Sequence, residues 1–61
     1  MKLILEPNIL RPDDFYEALI GVQRDRDEDE VQIINAKLIL ILANHIGDNE
    51  VLNEALEIAA A

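Results

Sequence analysis

Between Val31 and Ile46 the chain is apolar on almost every side of a helix. Val31, Ile33, Ile34, Ala36, Leu38, Ile39, Leu40, Ile41, Leu42, Ala43 and Ile46 leave Lys37 and Asn44 as a narrow polar seam. At about 100° per residue these positions surround nearly the whole circumference. Such a helix must be covered almost everywhere. Short neighbouring helices can cover only part of it, and each large aliphatic side chain left in water forfeits roughly 1.5–3 kcal/mol of burial. The expectation is therefore a second chain on this helix, with Ile33, Ile34, Leu40 and Ile41 as candidate interface residues. Asn35, a polar residue inside the apolar stretch, either sets register in that interface or hydrogen-bonds the backbone of the N-terminal arm.

Length sharpens this expectation. A chain of 61 residues lies near the lower limit for independent folding, where disulfides, a structural metal, very regular helix packing or oligomerisation usually assist. With no Cys and a single His, disulfides and the common zinc arrangements are excluded. Helix packing and oligomerisation remain.

The flanking segments read as two shorter helices and an extended arm. Residues 1–11 alternate weakly and contain Pro7, which suits an arm that lays Leu3, Leu5, Ile9 and Leu10 across the helices. Pro12 fits the first position of a helix over 12–24, with Asp13 and Asp14 at its positive end. Phe15, Leu19 and Val22 form its stripe, widened by Ala18 and Ile20. Asp27 with Glu30 reads as an acidic capping box opening a helix over 28–46, and Gly47 supplies its left-handed stop. Asp48 then caps a third helix over 48–59 with Val51, Leu52, Ala55, Leu56 and Ala59 on one face. The predicted fold is all-α: a single domain of three short helices with an extended N-terminal arm, associating as a homo-oligomer.

Several function classes are excluded by composition. There is no Ser, Thr or Cys, so hydroxyl and thiol nucleophiles and a serine-attached carrier arm are absent. Gly21 and Gly47 lack the spacing of a phosphate-binding loop. Asp25, Asp27 and Asp29 imitate the start of a calcium loop, but Glu30 stands where Gly is required and Ala36 where a bidentate Glu is required. A net charge of −8 repels nucleic acid phosphates and anionic head groups. The longest apolar run, Leu38 to Ala43, is far short of the roughly 20 residues of a membrane span. No signal peptide is read at the start of the sequence, and a cytoplasmic location is expected. No cofactor or metal is expected, and no nucleic acid or membrane partner.

One polar group merits separate treatment. His45 lies in the last turn of the second helix beside Asn44, where an imidazole suits the carbonyl end of the dipole. Asn44, His45 and Asp48 are the candidate polar site, with capping as the ordinary reading and metal or acid/base work as the rarer one. Tyr16, next to Phe15, is expected at the edge of the core with its hydroxyl in water.

Four stretches carry a family resemblance: Glu6-Pro7-Asn8; Pro12-Asp13-Asp14-Phe15-Tyr16-Glu17-Ala18-Leu19-Ile20; Asn35-Ala36-Lys37-Leu38; and Leu42-Ala43-Asn44-His45-Ile46-Gly47-Asp48. Together they resemble DUF2783, a bacterial family of short uncharacterised proteins. The most specific part is Ala43 to Asp48, followed by Glu54-Ala55-Leu56. The connector between the first two helices is more acidic than the family pattern, which more often carries Gly or Ser there. The resemblance implies no activity. It implies an accessory setting beside aromatic-compound hydroxylases and metallo-hydrolases of bacterial gene clusters.

The function expected on these grounds is a non-enzymatic, self-associating helical interaction module, an accessory subunit to a larger enzyme of aromatic catabolism. The alternative is an acidic regulatory or inhibitory module that docks on a basic partner. A His45-dependent metal or catalytic protein ranks third.

Overall fold

A computed structural model describes all residues, 1–61. Residues 1–11 form no helix or strand. Three helices follow: α1 over Pro12–Gln23, α2 over Glu28–Ile46 and α3 over Asn49–Ala60.

Local chemistry explains each boundary. Pro12 opens α1, where its missing N–H costs nothing. Arg11 supplies no side-chain cap but pairs through Nε with Asp14 Oδ2 at 3.7 Å, an exposed contact worth little. At the other end Arg26 folds back, and its Nε donates to the Val22 carbonyl at 2.8 Å. Asp25 takes a left-handed conformation with φ +62°, which a short polar residue tolerates better than a branched one. The acidic run is thus a tight reversal between two helices.

Half of the expected capping box forms at the α2 start: Asp27 Oδ1 accepts from the Glu30 backbone N–H at 2.8 Å, while the Glu30 carboxylate turns to Arg26 at 3.5 Å. Glu28, Asp29 and Glu30 fill the first turn, at the positive end of the dipole. Gly47 ends the helix at φ +68° and donates its N–H to the Ala43 carbonyl at 2.8 Å. Asp48 is the residue before α3, and its Oδ1 accepts from the N–H groups of Glu50 at 3.0 Å and Val51 at 3.4 Å. Its other oxygen lies 3.9 Å from the N-terminal amine, so the start of the chain returns to the α2–α3 corner.

The core is thin. Val51 is the one buried residue, at 5% exposure, and it sits where α3 folds back on α2. Leu3, Leu19, Val31, Ile34, Leu38, Ala43, Ile46, Leu52 and Ala55 are half-buried. The expected stripe of α1 is mostly open: Phe15 and Val22 are exposed and only Leu19 is partly covered. Of the four residues expected to lie across the helices only Leu3 is partly covered; Leu5, Ile9 and Leu10 point into water, Leu10 at 93% exposure. In α3, Leu56 is likewise exposed. The physical reason is shared by α1 and α3: helices of 12 residues can each reach only one flank of α2 and leave their own outer stripes without a partner, and segment 1–11 has no regular structure to hold an apolar row against them.

Global dimensions agree. The radius of gyration is 13.2 Å, against about 10.5 Å for a compact 61-residue domain. The three helices form an open arrangement, not a closed bundle.

Candidate functional site

Phase separates the apolar residues of α2 into two faces. Val31, Ile34, Asn35, Leu38, Leu42 and Ile46 share the inner face, and all but Leu42 are half-buried. Leu42 is exposed despite its inward phase, a gap in the cover supplied by α1 and α3. Ile33, Ala36 and Leu40 occupy the opposite face and lie open, Ile33 at 55% and Leu40 at 70% exposure. Ala43 continues this row but is half-buried near the α3 corner. Ile39 and Ile41 flank the outer row on its two sides, both exposed.

Ile33, Leu40 and Ile41 are therefore outward-facing, whereas Ile34 and Asn35 belong to the inner face. Asn35 has a partner that neither sequence reading named: its Oδ1 accepts from Gln23 Nε2 at 2.9 Å. This part-buried bond ties the last residue of α1 to α2 and holds Asn35 on the inner side of the helix, away from the outer row. Sequence reasoning also missed the row Ile33, Ala36, Leu40 and Ala43. Its signal was present as a 3-4-3 spacing on the side opposite Asn35, hidden because every other side was apolar too.

The polar residues are dispersed. Asp48 is committed to capping α3 and to the N-terminal amine. Asn44 and His45 are exposed and make no side-chain hydrogen bond. No group of three or more His, Asp or Glu side chains is placed to hold a metal ion. Tyr16 is exposed at 65%, more open than the expected packing at the edge of the core, because α1 leaves most of its own surface uncovered. No helix is long and apolar enough to cross a membrane.

Surface depressions are shallow and open. One runs along α1, lined by Asp14, Glu17, Ala18, Gly21 and Arg24. Another lies at the N-terminal end of the outer α2 row, lined by Asp29, Gln32, Ile33 and Ala36. A third follows the first segment between Ile4 and Pro12. None has the enclosed, mostly apolar walls of a small-molecule site.

The quantity that distinguishes this molecule is surface. Its accessible area is 5722 Å², whereas a compact monomer of 6.9 kDa exposes about 4,000 Å². The excess is about 1,700 Å², roughly twice the share that one partner contributes to a standard protein interface. Much of it is aliphatic, from Ile4, Leu5, Ile9 and Leu10 through Ile33, Ile39, Leu40 and Ile41 to Leu56 and Ile58.

No curated protein and no solved structure matches the chain. A family pattern does, over residues 3–61, which is nearly the whole length. The chain belongs to the family of proteins of unknown function DUF2783.

Proposed function

We propose that this chain is a non-enzymatic helical interaction module whose copies complete one another's cores through the outward face of α2 and the apolar residues of segment 1–11 and α3. The observation that carries this reading is the excess of about 1,700 Å² over a compact monomer. Folding in isolation buries only about 43% of the unfolded chain's surface, against about 60% for ordinary domains of this size. Conformational entropy opposes folding in either case. Association supplies the missing burial, and the area required falls in the range of obligate homodimers.

The family resemblance supplies a setting for such an assembly: an accessory subunit beside a larger enzyme of aromatic catabolism, acting from the cytoplasm. The self-associated form would be the unit that docks there.

Light scattering on the purified chain tests this reading. A mass that is a multiple of 6.9 kDa at micromolar concentration is expected. A monomer of that mass with full helix content would refute it.

A further inference from the structure

We infer that two copies pair through α2 in antiparallel orientation, with Ile33, Ala36, Leu40 and Ala43 as the seam. This rests on the self-association proposed above and adds the partner's direction and register.

The seam residues recur at spacings of three, four and three, the heptad spacing that keeps one side of a helix against a partner. Large and small side chains alternate along it: Ile33, Ala36, Leu40, Ala43. Running the helices antiparallel about the level of residue 38 sets Ile33 opposite the second copy's Ala43, and Ala36 opposite its Leu40. Every layer then joins one large and one small side chain, which fills space evenly and lets the backbones approach. A parallel pair instead sets Ile33 on Ile33, Leu40 on Leu40 and Ala36 on Ala36. Its layers alternate between crowded and empty.

Charge selects the same direction. Asp29 continues the heptad row, and with Glu28 and Glu30 it makes the first turn of α2 acidic. A parallel pair would bring these carboxylates face to face with their copies. An antiparallel pair moves them more than a Debye length from their own copies; the carbonyl end of the other helix and its Asp48 then stand at their level, a smaller repulsion than three carboxylates facing three. The two Lys37 side chains lie near the twofold axis at the solvent rim, where like charge is screened. Ile39, exposed in the single chain, meets its own copy on the other rim.

Spin labels read this geometry directly, because the chain has no native Cys. Glu28→Cys and Lys37→Cys each place a nitroxide on an exposed position of α2 outside the seam, with the solution mass of each labelled sample measured in parallel. The antiparallel pair predicts Glu28 labels separated by about 30 Å along the axis, from the 1.5 Å rise per residue. Lys37 labels stand at nearly one level, under about 20 Å apart given the interaxial distances of packed helices. Short distances at both positions would overturn the orientation while leaving self-association intact. A dimeric mass with long distances at both positions would overturn the seam. Monomeric mass with no dipolar coupling would overturn this inference together with the reading it rests on.

Discussion

Leu40→Ala separates the stability of a single chain from the affinity between chains. Leu40 retains 70% of its exposure in the isolated chain, so truncating it leaves intrachain packing nearly untouched, and Ala is the better helix former. A surface substitution of this kind shifts folding by less than about 0.5 kcal/mol. In the associated form the lost atoms are equivalent to about three CH₂ groups, worth about 0.8 kcal/mol each when fully buried. Taking the exposed 70% as the part that association covers gives about 1.7 kcal/mol per chain. A twofold interface counts the change twice, about 3.4 kcal/mol, which weakens Kd by about 300-fold. Sedimentation equilibrium of wild-type and variant chains over matched concentrations reads this directly. A Kd within about threefold of wild type would refute the outer face of α2 as the association surface.

Three further outcomes follow. Gly47→Ala forces a Cβ into the left-handed conformation at φ +68° but meets only Asn44 O at an ordinary 3.6 Å; the cost is backbone strain alone, about 1–2 kcal/mol, measured by urea unfolding. Asp48→Ala removes the α3 cap formed with Glu50 and Val51 and should cost about 1 kcal/mol, with amide hydrogen exchange rising first in α3. Added salt screens the repulsion between chains of net charge −8 and should tighten self-association; docking on a basic partner would weaken with salt instead, so the two readings move in opposite directions.

The helices and their ends were legible because they depend on local chemistry. Asp27, Gly47 and Asp48 act over three or four residues, and each does in three dimensions what its spacing suggested. The end of α1 falls at Gln23, one residue before the expected boundary, because Arg24 is already extended and Asp25 turns left-handed. α3 begins after its cap, at Asn49, and runs to Ala60. What the sequence concealed was which side of α2 is covered. With apolar residues all round, hydropathy cannot distinguish Ile34, which packs inward, from Ile33, which does not. The Gln23–Asn35 bond depends on how α1 leans on α2, and no spacing within either helix encodes that. The openness of Phe15, Leu5 and Leu10 is likewise a tertiary result: an amphipathic stripe states that a face wants cover, not whether the same chain provides it.

The most direct test of coupled folding and association is the helix content of the wild-type chain, followed by circular dichroism through serial dilution from micromolar to nanomolar concentration. Loss of helix on dilution, with a midpoint that coincides with the dissociation seen in the solution mass, is the predicted result. Helix content that stays constant while the protein is monomeric at every concentration would contradict it, and would show that this open three-helix chain is stable alone.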